Sequence, residues 1–394
     1  MLISVINEIS KGIDKLIESK IIVPQKKIVI FGLGRYPYAM RTILEHRNYR
    51  IFAYLVEDEA SRIRERRNLM DFSSRFLNSD RDVISIIGFE DLCSIDCDEY
   101  VILYLDNENN NEEHLGLNEK YTNAFCVYDF SNKDITEAIA GGRLITIDEV
   151  KNIELQILDY LAEVCREKNL RYWLCGGSLL GAIRHGGIIP WDDDIDIAMP
   201  YEDYKVLMTS FPKHPFYYPV GIDVPESEVF IEPFAKIVDN RTVVVENMKT
   251  VKRIGGVCID IFPLVGLPDD DKDRLLFFKK YRELEKCIWQ DFYKNDGDIS
   301  IFEYWVDKQR EFLNKYSFDE SKHVGIIGTL YDEKDQVSRS AYNETIQKEF
   351  DGLNVNIPLG YEEFLVNQYG EDWNIPPKEE DRVLRHDIDA YVKD

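Results

Sequence analysis

Residues 173–200 read WLCGGSLLGAIRHGGIIPWDDDIDIAMP and concentrate side chains able to handle both a cation and a phosphate. Asp194, Ile195, Asp196 and Ile197 alternate with the period of a strand that buries one face. On such a strand Asp194 and Asp196 project together, Ile195 and Ile197 anchor the reverse, and Asp192 and Asp193 crowd the approach. Carboxylates this close repel one another unless a cation lies between them. Oxygen-only ligands with positions to spare suit Mg²⁺ or Mn²⁺ carrying a phosphate. Upstream, Gly176-Gly177-Ser178 turns into a helix and offers backbone N–H groups that a phosphate can approach closely. This combination points to metal-dependent phosphoryl or nucleotidyl transfer.

Three other readings of the stretch fail on particular residues. A solvated acidic loop has no use for large apolar residues in strict alternation. A calcium loop counted from Asp192 needs Gly at its sixth position and Glu at its twelfth, where Ile197 and Asp203 stand. Gly176 and Gly181 have Walker spacing, but Ala182 and Ile183 occupy the places of the required Lys and Ser/Thr.

The elements that must position these residues follow from pattern. Thr146 and Glu149 have capping-box spacing and open a helix that reaches Lys168, with Val150, Ile153, Ile157, Leu161 and Val164 on its apolar face. Strands are expected at 170–175 and 195–199, with a helix over 178–184 between them and another over 201–211. Segments 230–238 and 242–246 read as a hairpin about Asp239-Asn240-Arg241. Residues 257–262 repeat the strand pattern in miniature, as Ile259-Asp260-Ile261. A lone Asp in a strand is more often structural than catalytic. Helices are expected over 272–293, 301–316 and 361–369, the last preceded by a short strand in 350–358 and followed by Pro376-Pro377. Their many aromatic residues read chiefly as core.

The first third of the chain has a different organisation. An amphipathic helix (1–24) precedes a strand at 28–31, a turn through Gly32 and Gly34, a helix, and a strand at 51–56 ending in Glu57 and Asp58. Further strands are expected at 83–87, 100–105 and 124–128. This is the opening of a Rossmann-like unit. Its fingerprint lacks the third glycine, since Arg35, Tyr36 and Pro37 follow Gly34, so a bound dinucleotide is the less favoured reading. An interface or recognition of the acceptor stands beside it.

The 394 residues accommodate two domains, expected at 1–135 and 146–394. A formal net charge of −25 argues against nucleic acid or an anionic membrane as the main partner. It also means that a nucleotide-linked phosphate needs cations in its site. The seven cysteines (Cys93, Cys97, Cys126, Cys165, Cys175, Cys258, Cys287) are odd in number and lack zinc-site spacing, as expected of reduced thiols in a cytoplasmic protein. The N-terminal segment has no uninterrupted apolar run, so neither a signal peptide nor a transmembrane span is expected.

The run G-G-S-L-L-G-A-I-R-H-G-G-I-I-P-W-D-D-D-I-D-I resembles the signature of the LicD family of phosphocholine transferases and their fukutin-related relatives. The similarity continues through Tyr204, Phe234-Ala-Lys236-Ile, Cys258-Ile-Asp260-Ile-Phe-Pro263-Leu and Tyr369-Gly-Glu-Asp-Trp373, covering 147–386. Glu371 is inserted where the family commonly has YGDW. The resemblance implies an α/β fold: a nucleotidyltransferase-type mixed-sheet core with helical additions, here preceded by the Rossmann-like unit. It implies that Asp194, Asp196 and Asp260 are the catalytic acids: Asp194 and Asp196 hold Mg²⁺ or Mn²⁺, and Asp260 either completes the metal site or accepts the acceptor's proton. Gly177, Ser178, Arg184, His185 and Lys236 then bind substrate, His185 chiefly by shaping its turn. The implied donor is CDP-linked, with CDP-choline foremost, and the implied acceptor is a hydroxyl of a cell-surface glycan, lipid-linked glycan or teichoic acid precursor. A lipid-linked acceptor would draw a cytoplasmic enzyme to the inner face of the membrane. Two alternatives are a nucleotidyltransferase acting on a sugar phosphate and a non-catalytic nucleotide or sugar binder.

Overall fold

The structure is a computed structural model that describes residues 2–32, 35–56, 85–92, 95–106, 117, 121–129, 138–224, 232–247, 252–329, 332–382, 384 and 388–393. The chain forms two compact units. The first comprises Met1–Glu137, Met248–Lys252 and Tyr281–Gln309, and the second Ala138–Asn247, Arg253–Lys280 and Arg310–Asp394.

The first unit carries helix α1 (Leu2–Glu18), whose Ile6, Ile9 and Ile13 are fully buried. Strands β1 (Lys27–Phe31), β2 (Ile51–Val56), β3 (Ser85–Gly88), β4 (Tyr100–Asp106) and β5 (Ala124–Asp129) form one sheet in the order β3-β2-β1-β4-β5. Every pairing in it is parallel. That order is the one open, doubly wound sheets adopt. Parallel strands covered on both faces need continuous apolar runs, and Val29, Phe31, Leu55, Tyr100, Ile102 and Tyr104 supply them. Gly32 leaves β1 at φ 83°, a left-handed conformation that favours glycine, and helix α2 (Arg35–His46) follows. Gly34, Glu57 and Asp58 lie outside the described residues.

In the second unit the capping box forms as its spacing predicts. Thr146 Oγ1 accepts from the Glu149 N–H (3.3 Å) and Glu149 Oε2 accepts from the Thr146 N–H (2.9 Å), opening helix α3 (Ile147–Lys168). Then come β7 (Trp173–Leu174), helix α4 (Gly176–Arg184), β8 (Asp196–Pro200) and helix α5 (Tyr201–Ser210). The central strand is β13 (Cys258–Leu267), longer than its sequence pattern indicates. It pairs in parallel with β8 and antiparallel with β10 (Ala235–Asp239) and β14 (His323–Ile326). Helix α3 packs against β10 and β13, and α5 against β8 and β13.

The hairpin expected about Asp239-Asn240-Arg241 does not form. The turn exists, but β10 pairs with β13 and with β9 (Tyr217–Val220), whereas β11 (Thr242–Asn247) joins β18 (Ile388–Val392) in a separate sheet. The buried Asp239 carboxylate accepts from the Arg241 backbone N–H (2.9 Å) and from Arg241 Nε (3.0 Å). Thr242 Oγ1 donates to the Asp239 carbonyl and accepts from the Val257 N–H. These bonds hold a crossing between sheets in place of a ladder. The short strand expected in 350–358 is instead a hairpin of β16 (Thr345–Phe350) and β17 (Leu353–Pro358), turning at Asp351-Gly352.

Candidate active site

The alternation read from 194–197 holds. Ile195 and Ile197 are fully buried, and the carboxylates lie on the opposite side. What gives the site its chemistry is the register of three adjacent strands. Asp196 on β8 stands beside Asp260 on β13, and Asp260 stands beside Lys236 on β10. Side chains directly opposite one another in a sheet share a face, so two acids and a lysine form one row. Lys236 Nζ reaches Asp260 Oδ1 at 2.7 Å. The row is fastened from behind: the Asp260 N–H donates to the Ile195 carbonyl (2.9 Å) and the Cys175 N–H to the Asp196 carbonyl (3.1 Å).

The loop before β8 brings further acids. Asp192, Asp193 and Asp194 present carboxylate oxygens that all lie within 4.8 Å of one another, and the first two are buried. Like charges so placed disfavour ionisation. Burial, and then the charges of Asp194, Asp260 and Asp192, push the Asp196 carboxyl well above the ordinary range, with Lys236 pulling the other way. Glu154 of α3 belongs to no motif in the sequence. It is buried and its pKa is raised well above normal by burial and then by Asp194, Asp193, Asp260 and Asp196. Six carboxylates (Asp192, Asp193, Asp194, Asp196, Asp260 and Glu154) therefore act on one another around a single locus. The donor set is all oxygen, as a hard divalent cation requires, and the buried Glu154 Oε2 has no hydrogen-bond partner among the described residues. These residues fit Mg²⁺ or Mn²⁺.

The glycines of α4 make room for the acids. Gly176 has φ 53°, and a Cβ there would come within 3.1 Å of Asp196 Oδ2. A Cβ at Gly177 would collide with Asp192 Oδ2. The N-terminus of α4 thus faces the carboxylates with only backbone between. Ser178 is buried, and its Oγ accepts from the Asp196 N–H at 2.8 Å, tying the helix to the strand.

Two arginines gather about Trp191. Arg184 Nη1 donates to the Trp373 carbonyl at 3.0 Å, and its guanidinium lies 5.9 Å from the centre of the Trp191 ring. Arg382, which the sequence reading did not single out, lies 4.8 Å from the same ring. His185 meets Trp191 edge-on at 5.5 Å and is exposed. Partial burial and then the charges of Arg184 and Arg382 lower its pKa, which keeps the imidazole neutral at pH 7. The loop containing the extra Glu371 is the one that presents the Trp373 carbonyl. His386 lies outside the described residues.

Support for the loop comes from elements distant in sequence. Asp351, at the tip of the β16–β17 turn, accepts from the Ile188 N–H at 2.8 Å and donates its own N–H to the Gly186 carbonyl at 2.9 Å. Lys151 of α3 bonds the carbonyls of Ile189 (3.3 Å) and Pro190 (3.1 Å). Burial keeps Cys165 protonated, with its pKa pushed up to about 12, and burial and then the charge of Asp196 raise the Cys175 thiol well above its ordinary range. Both are packing thiols, unfit as nucleophiles at neutral pH.

Comparison with known proteins agrees with this geometry. Residues 169–265 match the family model described as LicD/FKTN/FKRP, nucleotidyltransferase domain. The lipopolysaccharide cholinephosphotransferase LicD of Haemophilus influenzae is 30% identical over 268 residues, which is 63% of this chain and 98% of that protein. The ribitol 5-phosphate transferases FKRP of human and mouse are each 57% identical over 44 residues, spanning 11% of this chain and 9% of theirs. The matched region contains the acidic row and α4, and the bacterial relative is matched over almost its whole length; the chain belongs to the LicD family.

Proposed function

We propose that this protein transfers a phosphoryl-linked head group, phosphocholine foremost, from a CDP-linked donor to a hydroxyl of a cell-surface glycan or teichoic acid precursor, with CMP leaving. The observation that carries the reading is the row Asp196–Asp260–Lys236, set beside the Asp192–Asp194 loop and the N-terminus of α4. It joins a cation site to a phosphate seat. The near full-length relative named as a cholinephosphotransferase supports the choice of head group.

Asp194, Asp196 and Asp260 would hold Mg²⁺ or Mn²⁺, and a bound ion supplies charge neutralisation on the diphosphate as attack proceeds. The chain's own groups do the rest. Backbone N–H groups at Gly177 and Ser178 receive phosphate oxygens at the positive end of α4. Lys236 holds Asp260 in place and offsets charge. Arg184 and Arg382, stacked about Trp191, offer guanidinium groups to an anionic donor. His185, neutral and exposed, shapes the turn. Among the described residues no helix is long and apolar enough to cross a membrane. A lipid-linked acceptor would bring a cytoplasmic protein to the inner membrane face.

The test is product analysis with Mg²⁺ and a glycan acceptor, offering CDP-choline, CDP-ribitol or CTP. Metal-dependent CMP release from CDP-choline is expected. CDP-ribitol is included because of the short, strong match to the ribitol 5-phosphate transferases. Pyrophosphate from CTP would favour a nucleotidyltransferase, and binding without turnover, indifferent to Mg²⁺, a silent binder.

A further inference from the structure

Helix α3 holds one acid that the apolar packing around it does not account for. Val150, Ile157, Leu158 and Leu161 are buried as core residues, and Glu154 lies among them at 3% exposure. Withdrawing a carboxylate from water is costly unless partners replace the lost solvent. Other buried acids of this unit have theirs: Asp239 meets Arg241, and Asp335 meets Thr329 and Gln368. Glu154 Oε2 has no hydrogen-bond partner among the described residues.

Its direction is marked by Lys151, one turn earlier on the same helix face. Lys151 bonds the carbonyls of Ile189 and Pro190, immediately before Trp191 and the aspartates. The face of α3 that carries Glu154 is therefore the face turned to the acidic loop. Helix α3 packs against β10 and β13, the strands that carry Lys236 and Asp260, and the charges that act on Glu154 are those of Asp194, Asp193, Asp260 and Asp196. An unpartnered acid oxygen surrounded by four more acids is suited to one kind of company, a cation.

We infer that Glu154 belongs to the oxygen shell of the divalent cation, adding a fourth carboxylate, from helix α3, to Asp194, Asp196 and Asp260. This rests on the metal reading given above and extends it to a residue outside the aspartate motif. Glu154 anchors the ion from the protein side and leaves the solvent side to the diphosphate.

The test uses the full chain and Mn²⁺ alone, with binding followed by electron paramagnetic resonance of the free ion and by the rise in Tm that Mn²⁺ produces. Glu154→Gln keeps shape and hydrogen-bonding capacity but removes the ligand charge. It is expected to fold with an unchanged or higher metal-free Tm and to bind Mn²⁺ about tenfold more weakly, with a smaller Mn²⁺-dependent rise in Tm. Glu154→Asp, which keeps the charge but shortens its reach, is expected to fall between the two and serves if the Gln variant fails to fold. Wild-type affinity in either variant, while Asp196→Asn loses Mn²⁺, overturns the role of Glu154 and leaves the metal reading standing. Failure of the wild-type chain to take up Mn²⁺ overturns both.

Discussion

Two regions of the second unit bury carboxylates in opposite ways. At the crossing between β10 and β11, Asp239 is fully buried, but Arg241, two residues on, supplies its countercharge, and the turn's own backbone and Thr242 complete the bonding. At the strand ends, Asp192, Asp193, Asp194, Asp196 and Glu154 act on one another, and the charge of Lys236, bonded to Asp260, opposes them at Asp196. The first arrangement is complete within the chain and serves the fold. The second gathers like charges, and we propose that a divalent cation offsets them. The kind of charge alongside, more than burial itself, separates an acid that builds from an acid proposed to bind.

The largest effect expected from breaking this contrast is on turnover. Asp194→Ala or Asp196→Ala should lower kcat by about a thousandfold or more, the consequence of losing roughly 4 kcal/mol of charge stabilisation, while circular dichroism shows the fold retained. Wild-type rates in both variants would remove the catalytic assignment. At the crossing the effect falls on stability: Arg241→Met should leave the clustered acids of the site untouched but destabilise the chain by about 3 kcal/mol, because it strands a buried carboxylate. Chemical denaturation reads that loss, and an unchanged midpoint would show that Asp239 relies on its backbone bonds alone.

Gly177→Ala probes the space between α4 and the acids. The added methyl meets Asp192 Oδ2, so the carboxylate must shift, and activity should fall about tenfold to a hundredfold, as small displacements in a catalytic site can cause. Kinetics at saturating Mg²⁺ would show it, and full activity would mean that Asp192 moves freely. The pH dependence of stability is a milder signature. In chelator, the folded chain keeps protons on Asp196 and Glu154 that the unfolded chain releases above roughly pH 4. The native state then binds more protons than the unfolded one, so stability contributed by these groups falls as pH rises from there through their raised values. Asp196→Asn should flatten the decline in Tm with pH, and added Mn²⁺ should offset it; a slope identical to wild type would contradict the crowding. The smallest change is expected from Arg382→Ala, an exposed residue, with KM for the donor rising about threefold and kcat nearly constant.

Much of this was legible in the chain because the information is local. The capping box at Thr146 and Glu149, the helix to Lys168 and the two-residue period of Asp194 to Ile197 each depend on neighbours a few positions apart, and each appears where its spacing puts it. From the acidic motif came also the expectation of a cation and a phosphate, on which the proposed function rests. Tertiary structure alone decided that Asp260 lies in register with Asp196 and Lys236 with Asp260, since strand register is a pairing between segments far apart in sequence. It also divided β10 from β11 into different sheets, placed Arg382 on Trp191, and turned Glu154 out of an apolar helix face toward the acids. Period and propensity state which side of an element is buried. They are silent on what it is buried against, and for Glu154 that neighbour is a cluster of acids.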